Sequence, residues 1–150
     1  MKSISNHVED WIERLSKVHS WGHSICPYAR KAKYQLFTNE DKMSMQLKAS
    51  FYDHTFDLYL CLPTDQYMSV ERAKQIEKEI NMVSNDTITL LDHPKDPGFI
   101  NGVCTGNKKY IIFFIQSKKG LQDARNNLLK SSYYNSWDHD YYEKITNTGL

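Results

Sequence analysis

The chain reads as an α+β protein, a ferredoxin-like sandwich built on a mainly antiparallel sheet with extra N-terminal and C-terminal helices. Three observations predict this. Residues 56–129 alternate in pattern as strand-helix-strand-strand-helix, the first five elements of such a sandwich. The run Tyr110-Ile111-Ile112-Phe113-Phe114-Ile115 has the composition of a strand buried on both faces. A length of 150 residues, with 40% hydrophobic and 25% charged, suits one domain with one core, covering 1–150.

The elements follow from local patterns. Over residues 4–18, Ile4, Val8, Trp11, Ile12, Leu15 and Val18 recur at helical spacing, with Asn6 and Glu9 placed as a capping box. Gly22 stops this helix, and Cys26 with Pro27 begins a second, short one through about Lys33. Over residues 44–51, Met45, Leu47, Ala49 and Phe51 alternate with Ser44, Gln46, Lys48 and Ser50, which predicts a strand wet on one face. Residues 52–55 are turn-like, and Phe56, Leu58, Leu60 and Leu62 alternate after them, so the two segments are expected to form an antiparallel hairpin.

Pro63-Thr64-Asp65 breaks the second strand, and Ser69 then caps a helix whose apolar stripe is Val70, Ala73, Ile76, Ile80 and Val83. Residues 87–91 are a β-branched and aliphatic strand. The following Asp92-His93-Pro94-Lys95-Asp96-Pro97-Gly98 cannot be regular structure. Residues 99–105 form a weak strand, and Gly106-Asn107 turns the chain into the Tyr110–Gln116 run, which is expected to be central. Ser117 opens a helix bearing Leu121, Ala124, Leu128 and Leu129, and Ser136 caps a last one carrying Trp137, Tyr141 and Ile145. With right-handed crossovers, the two long helices are expected on one face of the sheet, and the N-terminal helices cover the other face or wrap an end.

Composition excludes several classes of function. Nineteen Lys and Arg against eighteen Asp and Glu leave a formal charge of +1, so no global field draws in nucleic acid or an anionic membrane. The longest apolar run is far short of the ~20 residues a spanning helix needs. The first residues lack a secretory signal, and three widely spaced cysteines argue for reduced thiols, so the cytoplasm is the expected compartment. Neither a phosphate-binding loop, nor a nucleophile elbow, nor a zinc-protease helix occurs in the sequence.

The chemically suggestive cluster is Cys26-Pro27-Tyr28-Ala29, with His19 and His23 ahead and Arg30 and Lys31 behind. A cysteine at a helix start, near backbone N–H groups and cations, is shifted toward thiolate. Equally, an unpaired cysteine is commonly just a small buried residue. Cys-Pro-Tyr-Ala resembles the glutaredoxin Cys-Pro-Tyr-Cys motif, but Ala29 replaces the second thiol and a helix replaces the buried strand that should precede it. His19, His23 and Cys26 could approach one another, yet no paired ligand motif accompanies them, and no metal or other cofactor is expected. His93, with Asp92 beside it, lies in a loop at a strand end. It is a candidate base there, or a turn residue.

Two segments resemble an uncharacterised bacterial family that carries an N-terminal helix, then Cys-Pro-Phe-Ala, then Thr-Leu-Leu-x-His-Pro. Cys26-Pro27-Tyr28-Ala29 and Thr89-Leu90-Leu91-Asp92-His93-Pro94 match in that order, with Phe99 near a family Asp-Phe pair. The family's C-terminal Phe-His-Pro and Arg-Ser-Pro-Tyr-Pro segments have no counterpart. The resemblance implies that Cys26 and His93 face one pocket, with Tyr28 and the loop from Asp92 to Gly98 around it.

The expectation is therefore a small domain that binds a small molecule or a protein, with Tyr28, Arg30 and Asp92 as ligand-binding candidates. One alternative is a thiol-dependent enzyme with Cys26 as nucleophile and His93 as base. Another is a structural or assembly subunit, associating as a homo-oligomer through sheet edges.

Overall fold

The computed structural model describes residues 3–18, 24, 26, 28–100 and 102–130. His19, His23 and the predicted last helix lie outside them. Helix α1 (Ile4–Ser16) is capped by Ser3, whose Oγ accepts from Asn6 N at 3.1 Å, so the cap sits three residues ahead of the expected Asn6 box. Val18 has left the helix and bridges antiparallel to Ser24.

The expected short helix after Cys26 is replaced by a turn, in which Ala32 N donates to Tyr28 O at 2.9 Å. The chain then extends into β1 (Tyr34–Glu40), a strand the apolar pattern does not announce. Its Leu36 and Phe37 are adjacent rather than alternate, and Gln35, Thr38 and Asn39 are exposed.

The predicted strand over 44–51 is instead helix α2 (Lys42–Ser50). Asp41 and Ser44 close a reciprocal cap, Oδ1 accepting from Ser44 N at 2.7 Å and Ser44 Oγ from Asp41 N at 3.0 Å. The helix buries Met45 and Ala49, one turn apart, whereas Leu47 and Phe51 remain 54% and 81% exposed. A short run with apolar residues at every second position satisfies both periods, and here capping and burial select the helix.

Strand β2 (Leu58–Pro63) therefore pairs with β1 in parallel, because a helix rather than a turn connects them. Helix α3 (Val70–Asn81) is capped by Ser69 as predicted and leads into β3 (Thr87–Asp92). After the short hairpin β4 (Phe99–Ile100) and β5 (Val103–Cys104), strand β6 (Ile112–Ser117) runs into α4 (Lys118–Leu129). The sheet order is β1-β2-β6-β3, with β6 antiparallel to both β2 and β3. The protein is thus α+β with a mixed four-stranded sheet and a separate two-stranded one, not the mainly antiparallel sheet expected.

Both faces of the sheet are covered. On one, Met45, Ala49, Ala73, Ile76 and Ile80 from α2 and α3 pack on Tyr59, Cys61, Phe113 and Ile115. On the other, Val8 and Trp11 of α1 pack on Leu60, Leu62 and Ile112, and Trp11 stacks on Phe114 with ring centroids 5.5 Å apart. Full burial of each such side chain contributes about 1.5–3 kcal/mol. Strand β2 is consequently buried on both faces, not wet on one as its alternation suggested, and β6 lies inside the sheet as expected. No described helix is long and apolar enough to cross a membrane.

Candidate functional site

The residues singled out by sequence fall in two places. Asp92 ends β3, buried, and its Oδ2 accepts from Asn107 N at 2.9 Å and from Asn107 Nδ2 at 2.6 Å. Desolvation raises its carboxyl above the ordinary range, and the Asn107 bonds and the nearby Arg14 pull it back down. Gly106 presses against the same carboxylate, where an added Cβ would lie 2.7 Å from Oδ1. Helix α1 grips this loop from above: Trp11 Nε1 donates to Thr105 O at 3.0 Å, and Arg14 Nη2 to Gly106 O at 2.5 Å. His7 Nε2 lies 3.0 Å from Asn107 O. Asp92 thus anchors the clasp between α1 and the β5–β6 loop.

His93 is also buried. Its Nε2 lies 3.0 Å from Met68 O, and its Nδ1 lies 3.1 Å from Lys95 N. A carbonyl only accepts and an amide only donates, so the proton sits on Nε2 and Nδ1 is the acceptor. Both ring nitrogens are engaged with backbone.

Cys26 is half-buried, its backbone N–H bonded to Leu15 O at 3.0 Å, where the chain passes the end of α1. Burial pushes its thiol up, and the opposing pull of the Tyr28 and Ala29 backbone N–H groups is smaller. Tyr28 is on the surface, and Arg30 reaches Glu13 at 3.8 Å with both side chains exposed. The structure brings Asp92 next to His93 and Tyr28 next to Cys26, but no hydrogen bond joins the two pairs among the described residues. No described group of three or more His, Cys, Asp or Glu side chains could hold a metal ion.

A different surface carries the open features of the molecule. Phe37, Ser44, Leu47, Lys48, Phe51 and Tyr59 line an open groove of about 350 Å³ between α2 and β1. Its floor is Phe37 set edge-on to Tyr59, ring centroids 5.2 Å apart, with Lys48 Nζ 4.5 Å from the Phe37 centroid. Lys48 Nζ also lies 2.5 Å from Oε1 of the buried Glu40, an ion pair without hydrogen-bond alignment. Burial, with that carboxylate adding to it, pushes the Cys61 thiol up to about 12. Along the rim, Met43, Leu47 and Phe51 form a stripe at four-residue spacing, 69%, 54% and 81% exposed.

Among the described residues, the outward edge of the strand beside this stripe is unpaired. Lys33 O accepts from Asp57 N at 2.7 Å, which turns the backbone of Gln35 and Phe37 toward β2 and that of Tyr34, Leu36 and Thr38 outward. Among the described residues no hydrogen bond reaches those outward N–H and C=O groups. The pairing is interrupted between Phe37 and Glu40, where Asn39 takes a φ of 55°. None of the sequence candidates lies in this groove. The signal that could have found it is the doubled stripe of α2, one row buried and one exposed, behind the Asp41–Ser44 cap.

Comparison of the chain with protein-family models, with curated proteins and with solved structures finds no match.

Proposed function

We propose that this chain is a binding domain that takes an extended protein segment along β1, with alternate side chains of the segment entering the groove beneath α2. The observation that carries this reading is the coincidence of an open strand edge with an exposed apolar stripe. The edge offers backbone hydrogen bonds in a row, and the groove offers side-chain selection, which is how strand addition divides affinity from specificity. A row of large apolar side chains beside an unpaired strand is otherwise a liability for aggregation.

The rest of the sequence-based reading is compatible with this proposal. The order β2-α3-β3-β6-α4, with β6 between β2 and β3, supports a ferredoxin-like unit to which β1 adds a parallel edge. Three free cysteines support a reducing compartment such as the cytoplasm. Shared geometry with the Cys-Pro-Phe-Ala proteins is a further proposal, supported by the order of the two segments. Thiol chemistry at Cys26 would require a base, and His93 could serve only by giving up its bonds to Met68 and Lys95.

Selection of a random peptide library on the immobilised protein tests the binding reading. It predicts enriched peptides with apolar residues at alternate positions, whose binding is lost on the Phe51→Asp variant. Absence of enrichment, or enrichment indifferent to Phe51, would contradict it.

A further inference from the structure

We infer that Glu40 sets the selectivity of this groove: by holding Lys48 from below, it restricts the entering side chains to uncharged, aromatic or aliphatic ones. This rests on the strand-addition reading above and names the side-chain chemistry of the segment taken. The placement of Glu40 is built into β1. Phe37 pairs with Cys61 and Glu40 with Pro63, so three steps along β1 match two along β2. The extra residue, where Asn39 takes its φ of 55°, turns Glu40 onto the face that carries Phe37. Regular pairing would send its carboxylate to the opposite face, the one α1 covers. Lys48 comes down onto this carboxylate from α2, its Nζ 2.5 Å from Glu40 Oε1 and 4.5 Å from the Phe37 centroid.

The pair leaves the groove without a charge to offer. Among the described residues, Lys48 is the one charged side chain in its lining, beside Phe37, Ser44, Leu47, Phe51 and Tyr59. The Glu40 side chain is 9% exposed and its Oε1 makes no hydrogen bond, so the Lys48 ammonium is what compensates its charge. A carboxylate on an entering segment could claim Lys48 only by leaving Glu40 buried and unpaired, which costs more than a partly exposed ion pair returns. A cationic side chain meets the Lys48 ammonium, with Glu40 screened behind it. What the groove offers is the rings of Phe37, Tyr59 and Phe51, whose edges and faces suit apolar partners.

Running the peptide selection on the wild type and on Glu40→Gln tests the inference. The wild type should deplete acidic and basic residues at the alternating apolar positions, and its affinity should change less than about twofold between low and high salt. Glu40→Gln frees the Lys48 charge. That variant should enrich Asp or Glu at one of those positions and bind such peptides roughly tenfold tighter than the wild type does, an advantage that high salt removes. The double variant Glu40→Gln/Lys48→Met carries neither charge and should return to apolar selection without salt dependence. Enrichment of charged residues at those positions by the wild type overturns the inference without need of a variant. So does a Glu40→Gln protein, folded by circular dichroism, that keeps the wild-type selection. In either case binding that still requires Phe51 leaves strand addition standing, whereas no enrichment by the wild type removes both.

Discussion

The two edges of the sheet are built in opposite ways. At the β3 edge, Asn81 Oδ1 accepts from Thr89 N at 2.7 Å, Asn81 Nδ2 donates to Thr89 O at 3.0 Å, and Glu77 Oε2 accepts from Leu91 N at 2.7 Å. The side chains of α3 reproduce the bonds a neighbouring strand would make, and Thr89 is fully buried. At the β1 edge nothing comparable reaches the outward backbone among the described residues, and the nearest helix presents Leu47 and Phe51 to solvent instead. One helix supplies polar side chains that finish the sheet, whereas the other supplies apolar ones that leave it unfinished. The difference supports the proposed binding surface more strongly than any titratable residue does.

Opening the closed edge should have the largest effect. Asn81→Ala strips Thr89 of both backbone partners, and leaving buried groups unsatisfied costs about 2 kcal/mol. Urea titration should show a lower midpoint at unchanged slope, and light scattering should reveal new self-association through β3. An unchanged midpoint would mean that α3 does not close this edge.

The open edge should respond in the reverse manner. Phe51→Asp removes no buried contact, so stability should stay within about 0.5 kcal/mol while peptide binding is lost.

The smallest effect expected concerns Asp92, where β3 ends. Its carboxyl holds a proton to higher pH in the folded state than in the unfolded chain. Its stabilising contribution is therefore present below the ordinary carboxylate range and lost as pH rises through the raised folded value. Asp92→Asn keeps an acceptor for Asn107 and removes the titration, so denaturation midpoints should fall less with rising pH than in the wild type. An identical pH profile would contradict this assignment.

Much of the scaffold was legible in the sequence because α1 and α3 carry a helical period over enough residues and β3 and β6 are continuous β-branched and apolar runs. Ser69 and Ser117 also mark helix starts in the expected way. The elements that the sequence pattern misassigns lie in residues 26–51, where the expected helix after Cys26 is a turn. There a helix of nine residues mimics a strand, and a strand with adjacent Leu36 and Phe37 shows no alternation at all. Misreading one exchanged a parallel crossover for an antiparallel hairpin. The candidate site was less legible, for a related reason. The loop at Asp92 and His93 stood out as irregular, but its partners His7, Trp11 and Arg14 lie far away in sequence on α1, and no local pattern names them. The groove depends on how α2 lies over β1, which only the assembled sheet determines.

The contrast between the edges is tested most directly by the exchange rates of two amides, Thr89 and Leu36, in the Phe51→Asp variant. Both point away from their paired strand, and only Thr89 has a side-chain acceptor. The Thr89 amide should exchange only through global unfolding, and the Leu36 amide faster by orders of magnitude. Equal protection of the two amides in that variant would contradict an open β1 edge.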